Sequence, residues 1–573
     1  MEVTGALYVA VLESGEESPL KKESDEEEGE KDEGPGEEAG AGAGSGEGSG
    51  EASARDENRV EVDFRGLDQR ILALPVETGF FSSLQPGEDG ELYYLRTEAA
   101  GFGEGGEPSL RRWSFEKREE ETLLEGANAF TLSHDKKKLL VRAGPNWHIA
   151  PAGKVNPADT RISAGDIQVR IDPPAEWRQM LREAWRIQRD FFYDPGMHGA
   201  DWDAMWTKYE AFLPYLATRG DLRTVIRWML SELSVGHSYG GGGDDLRESE
   251  SVPGGLLGAD YEVANGRYRF AKVYGGLNYN PGLRSPLTEP GVEVQEGEYL
   301  LAVQGVDVRP PENLFRHFEN TAEKLVEITV GPEPDGTGAR TVTVVPLRNE
   351  YALRNRDWVE GNLERVHEAT DGRVAYVWVP NTSVAGWQYF KRYFYPQAHL
   401  DAIIVDERFN GGGSLADYVV DILDREYMAH WNTRYGQDIR TPIAYMPGPK
   451  AMLIDETAGS GGDFLPWLFR QRDLGPLIGR RTWGGLVGIL GFPVLLDGGS
   501  VTAPNLAFWT EEEGFGIENE GVPPDIEVEQ WPAQVIAGED PQLERAIQEV
   551  LRMLEQNPPE EAERPPYPIR VRR

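Results

Sequence analysis

Two glycine-rich turns carry the residues best suited to chemistry. In LIDETAGSGGDFLPWLF an apolar strand runs to Asp455 and Glu456, small residues follow from Thr457 to Gly462, and a helix begins near Asp463. A serine at such a strand-to-helix elbow, here Ser460, has its hydroxyl exposed, and the N–H groups opening the helix can face an oxyanion. The alternative is an ordinary helix-capping serine. In AIIVDERFNGGGSLADY a buried strand leads into Asn410, Gly411, Gly412 and Gly413, where missing side chains let the backbone approach a ligand closely. Glycine N–H groups there could complete the oxyanion hole. No lysine follows as a phosphate loop requires, and the glycine spacing of a dinucleotide site is absent.

A serine nucleophile needs a base. Of the eight histidines, His237 stands apart: it lies in VGHSYGGGGDD, a glycine-flanked segment after a helix, where another part of the chain can pack closely against the imidazole. A lysine base in the C-terminal region is excluded, because no lysine follows Lys450. The segment GFGIENEGVPPDIEV offers Glu518 and Glu520, either of which could orient the base; the alternative is a pair of surface turn acids.

The chain that must position these groups has 573 residues, too many for one hydrophobic core, so several domains are expected. Its net charge of −40 would repel nucleic acid and anionic membranes, and suits a salt-rich cytoplasm, basic peptides or simple solubility. Without cysteine there is no disulfide, thiolate metal site or thiol nucleophile. No cofactor and no metal are expected. The apolar runs are too short for a membrane span, and Met1 to Ala10 lacks the features of a secretory signal, so the expected location is cytoplasmic.

The elements predict a multidomain α+β protein. Residues 1–59 read as an isolated strand followed by an acidic disordered linker poor in large apolar residues. Short strands over 60–165 suggest β-propeller blades, too few to close, with the strand before the linker assigned to a preceding blade. The chain would then begin mid-propeller, as a fragment or a shortened relative. Helical spacing of Trp177, Met180, Leu181, Ala184, Trp185, Ile187 and Gln188, and a helix with Asp221 as N-cap, mark a small helical domain over 170–253. Strands return over 254–348, where GVEVQEGEYLLAVQGVDV resembles a PDZ-like β-barrel of the permuted bacterial kind. Strand–helix alternation over 349–535 predicts an α/β layered domain, and 536–573 a C-terminal helix and tail.

In this order the phrases EAWRIQRDFFYDPGMHGADW, DERFNGGG, AGSGGD, GRRTWGGLVGI and IENEGVPPDIEV resemble the C-terminal half of the tricorn-type serine peptidases, relatives of the carboxy-terminal-processing peptidases. The resemblance runs from about Val60 to Glu529. It implies peptide hydrolysis through an acyl-enzyme, with Ser460 as nucleophile, His237 as base and Glu518, rather than Glu520, as the supporting carboxylate. It also implies an oxyanion hole from the N–H groups of Gly461 and Gly412, peptide substrates, and a homo-oligomer, a hexamer in the family. Two positions depart from the pattern. The family serine before the histidine is Gly236 here, with Ser238 after His237 only an auxiliary candidate, and the family acid after the nucleophile is Gly461. The first departure motivates the alternative of a catalytically impaired scaffold that binds peptides through the PDZ-like domain.

Overall fold

A computed structural model of the chain describes residues 5–20, 60–88, 90–97, 107–163, 167–244, 250–559 and 562–571. The acidic segment expected to be a linker lies outside them, apart from its edges. The chain divides into two compact units, 1–170 and 171–573.

The first unit is built of antiparallel strands. β1 (Tyr8–Ala10) pairs with β2 (Ile71–Ala73), so the strand before the acidic segment joins the first strand after it. β3 (Phe80–Pro86), β4 (Glu91–Thr97), β5 (Ser109–Ser114) and β6 (Glu119–Glu125) form one four-stranded meander. β7 (Ala127–Leu132), β8 (Lys138–Ala143), β9 (Asn146–Pro151) and, after the one-turn helix α1 (Pro157–Thr160), β10 (Arg161–Ile162) form a second. Tyr93, Leu110, Leu139 and Val141 are buried in their shared core. Two blade-like meanders agree with the propeller pattern.

The second unit opens with helices. α2 (Pro173–Phe191) buries all seven residues named for it from spacing alone. α3 (Trp202–Glu210) and α4 (Arg219–Ser231) complete the bundle. Asp221 is not the N-cap of α4 but its third residue. Thr218 is the cap, its Oγ1 accepting from Asp221 N–H (3.1 Å) while Asp221 Oδ2 accepts from Thr218 N–H (2.8 Å). This reciprocal box satisfies two orphan donors at once, which a lone aspartate cap would not.

A short strand, β11 (Gly240–Gly241), leads to an antiparallel sheet in the order β12 (Ala259–Ala264), β13 (Arg267–Val273), β14 (Tyr299–Val303), β16 (Val326–Gly331), β17 (Arg340–Val344), with β15 (Val306–Asp307) beside β14. Phe270, Leu300, Ile328 and Val330 fill its core. After α5 (Tyr351–Ala369) comes a parallel sheet ordered β18 (Val374–Trp378), β19 (Ala402–Asp406), β22 (Lys450–Ile454), β23 (Leu477–Gly479), β25 (Ile526–Glu527). Between these strands run α6 (Val384–Gln397), α7 (Ala416–Leu423), the hairpin β20 (Ala429–Trp431) and β21 (Ile439–Thr441), α8 (Gly461–Gln471) and β24 (Ser500–Val501). α9 (Pro532–Ile536) and α10 (Pro541–Gln556) close the chain.

The apolar strands need cover on both faces. One face buries Phe390 of α6, Val419 of α7 and Phe469 of α8; the other buries Val359 of α5 with Leu543 and Val550 of α10. The result is a three-layer α/β/α domain, and the loops leaving the carboxyl ends of β19 and β22 carry both glycine-rich turns. Crevices at such strand ends are where open α/β sheets bind ligands.

Candidate active site

β22 is buried among parallel neighbours, and the chain must turn sharply after Asp455 to start α8. Ser460 makes that turn with φ 60° and ψ −116°, a conformation costly for any residue with a Cβ. Asp463, fully buried, holds it there. Its Oδ2 accepts the Ser460 N–H (2.9 Å) and the Gly485 N–H (3.0 Å), while Oδ1 accepts Thr482 Oγ1 (2.5 Å) and the Gly484 N–H (2.8 Å). Burial pushes the Asp463 carboxyl upward, against these hydrogen bonds. Asp463 was not singled out from sequence, although Ser-x-x-Asp is the spacing of a capping box.

The Asn410–Gly413 loop lies directly against this elbow. Gly412 has φ 84°, and a Cβ added there would sit 2.7 Å from Ser460 Cβ and 2.9 Å from the Gly459 carbonyl. Gly412 N–H donates to Asn410 Oδ1 (2.9 Å), so as an oxyanion donor it would share that proton. Gly461 N–H has no protein acceptor among the described residues. Asp455 anchors both loops from beneath, accepting N–H groups of Phe409 (3.2 Å) and Ala458 (2.9 Å).

His237 arrives from the other side. It has φ 53° and precedes β11, so neither it nor Ser238 lies in a strand. β11 pairs with β24, Thr502 Oγ1 donates to the His237 carbonyl (2.5 Å), and the Tyr239 N–H donates back to Thr502 Oγ1 (2.8 Å). The helical domain is fastened to the same segment: Leu495, Val501 and Ala503 join its core, and Arg219 pairs with Asp497 at 2.5 Å, both side chains about 5% exposed or less. A histidine 223 positions before the serine in sequence is thus carried in by the helical bundle and the β24 hairpin.

The imidazole packs on the Trp483 indole, ring centroids 5.3 Å apart, and a Cβ on Gly459 would strike that indole too. Trp483 therefore touches both the histidine and the serine turn. It is 45% exposed, and it lies within the family-like phrase GRRTWGGLVGI without having been given a role. His237 Nδ1 is buried without a hydrogen-bond partner, as is Ser238 Oγ. Among the described residues no hydrogen bond joins Ser460 Oγ to His237. Catalytic hydrogen bonds are often long in the absence of substrate. Burial lowers the His237 pKa, and the charges of Glu518 and Asp463 oppose that shift.

Glu518 does not hydrogen-bond the imidazole. Its carboxylate accepts three backbone N–H groups, from Gly236 (2.6 Å), Leu486 (2.7 Å) and Val487 (2.9 Å), tying the residue before His237 to the loop after Trp483. A Cβ on Gly236 would lie 3.1 Å from Glu518 Oε1, so a serine there would meet this carboxylate. Glu520 is exposed, which leaves Glu518 as the acid facing the site.

Comparison with known proteins agrees with this architecture. The sequence signatures of the tricorn protease C1 domain, the tricorn protease PDZ domain and peptidase family S41 match residues 173–231, 255–349 and 373–528, together more than half of the chain. Tricorn protease homolog 1 of Streptomyces coelicolor is 35% identical over 520 residues, covering 87% of this chain and 48% of that protein. Tricorn protease of Thermoplasma acidophilum is 30% identical over 501 residues, covering 86% of this chain and 46% of its own length. A crystal structure of the tricorn protease superposes with a TM-score of 0.78 at 29% identity, over 86% of this chain and 48% of that one. The chain spans about half the length of these relatives. With three domains in the same order and one fold across them, it belongs to the tricorn-type peptidases of family S41.

Proposed function

We propose that the chain is a serine peptidase that cleaves peptides through an acyl-enzyme. Ser460 Oγ adds to the peptide carbonyl carbon as His237 takes its proton; collapse breaks the C–N bond and His237 returns the proton to the leaving amine. Water then repeats the sequence on the ester and frees Ser460. Gly461 N–H, with Gly412, stabilises the oxyanion. Glu518 acts on His237 through its field and by holding the Gly236 peptide. Ser238 is an auxiliary polar group beside the base.

The observation that carries this reading is the strained Ser460 elbow pressed against Gly412 at the carboxyl ends of β19 and β22. Ser460 is the N-cap of α8, but capping alone needs neither a positive φ nor a glycine so close that a Cβ on it would come within 2.7 Å of the serine Cβ. The division at 60–165, 170–253, 254–348 and 349–535 belongs to the same proposal, as do assembly into a hexamer and a cytoplasmic location. No helix among the described residues is long and apolar enough to cross a membrane.

The test is hydrolysis of a fluorogenic peptide library together with labelling by a fluorophosphonate. Wild type should turn over and label at Ser460, and Ser460→Ala should do neither. A second reading, a peptide-binding scaffold, is favoured by Gly236 in place of the family serine. Peptide binding without labelling or turnover would establish it and refute the peptidase.

A further inference from the structure

Beneath the glycine loop lies a carboxyl group that this mechanism does not use. Glu407 follows β19 and is 0% exposed. Its N–H donates to the Leu453 carbonyl (3.0 Å) and its carbonyl accepts Asn410 N–H (3.0 Å), closing a tight turn in which Phe409 takes φ 66°. Both carboxyl oxygens are buried without a hydrogen-bond partner, and so is Asn410 Nδ2. The remaining Asn410 side-chain atom, Oδ1, holds the Gly412 N–H against Ser460.

The neighbouring acids all oppose ionisation of Glu407. Asp406 precedes it, Asp455 faces it from the end of β22 and Asp463 from α8. The adjacent cation, Arg408, is already taken by Asp406 (2.6 Å) and Asp540 (2.8 Å). The Asn410 amide favours the ionised form, but desolvation with the three aspartates outweighs it and holds the carboxyl well above the usual carboxylate range. A buried group in this setting keeps its proton rather than bear an unpaired charge.

We propose that Glu407 is a positioning residue that works as a neutral carboxylic acid: it braces the Asn410 amide, which keeps Gly412 fitted to Ser460, and its ionisation at high pH disables the site. The proton stays on Glu407 throughout turnover and enters no bond-making step. The catalytic half of this proposal rests on the serine peptidase reading; the protonation half does not.

Two variants separate the possibilities. Glu407→Gln keeps the shape and an acceptor for Asn410 but cannot ionise, whereas Glu407→Ala removes the brace. Wild type should lose kcat on the high-pH side of its profile, Glu407→Gln should lack that limb, and Glu407→Ala should show about tenfold lower kcat with KM little changed, rescued by Gln. A high-pH limb that persists unchanged in Glu407→Gln overturns the proposal. Thermal unfolding gives a readout independent of activity. A carboxyl whose folded pKa is raised contributes stability that is fully present below its unfolded value, about 4.3. That contribution is lost progressively as pH rises toward the folded value. The wild-type Tm should therefore fall relative to Glu407→Gln as pH rises above about 4.3. Parallel Tm curves overturn the proposal even if the enzyme is active. If Ser460→Ala retained turnover, the peptidase reading would fail while the Tm comparison still decided the state of Glu407.

Discussion

Substituting alanine for Gly412 tests whether the Asn410–Gly413 loop and Ser460 form one working surface. The new methyl would sit 2.7 Å from Ser460 Cβ and 2.9 Å from the Gly459 carbonyl, where carbon atoms ordinarily rest about 3.5–4.0 Å apart. Relieving the overlap moves the loop or the serine by about 1 Å. A displacement of that size costs on the order of 10²-fold in rate, or about 2.7 kcal/mol of barrier. The φ of 84° adds about 1–2 kcal/mol of backbone strain, which falls on stability rather than on chemistry. Gly411→Ala is the matched control, since a Cβ there meets no heavy atom within 4 Å and its φ lies outside the left-handed region. kcat/KM on a fluorogenic peptide and the rate of fluorophosphonate labelling should both drop about 10²-fold in Gly412→Ala. In Gly411→Ala they should stay near wild type. Equal activity in the two variants would refute the claimed contact between loop and nucleophile.

Burial lowers the His237 pKa, so the acid limb of kcat/KM should lie below the ordinary histidine value of about 6.5. Glu518→Gln removes a negative charge that favours imidazolium and should move the limb further toward acid; a limb above the ordinary value would contradict the burial argument. Asp497→Ala leaves Arg219 buried without its partner and should destabilise the second unit by about 3–5 kcal/mol, read as a lower denaturant midpoint. It should also lower activity, because the helical bundle that carries His237 is fastened through this pair; an unchanged midpoint would show the pair to be dispensable.

Most of the elements and the pieces of chemistry are legible in local sequence pattern. Period 3.6 in α2 named its buried residues correctly, because an amphipathic helix can bury only one face. Apolar runs ending in glycine turns located the loops after β19 and β22, because a strand covered on both faces must be apolar throughout. The short strands β3 and β9 carry little signal of their own: FFSSLQP does not alternate, and NWHIAP alternates the wrong way round, with Trp147 and Ile149 exposed and His148 buried, so pairing partners make them strands. The Asp221 cap was misread by three positions, since Thr218 and Asp221 bond reciprocally and either one alone looks like the start of α4.

How distant residues meet follows from the assembled fold. That Glu518 grips the Gly236, Leu486 and Val487 peptides, that Asp463 joins the Ser460 turn to the 482–485 loop, and that Trp483 lies against both His237 and Gly459 depends on contacts between segments far apart in the chain. Local pattern carries no record of such contacts. Glu407 is the sharpest case: in the sequence it is one acid among many in a chain of charge −40, and its neutral state follows from a burial and three nearby aspartates that the fold alone assembles. A residue's type sets its chemistry in water, and the fold decides how much water it keeps and which charges face it.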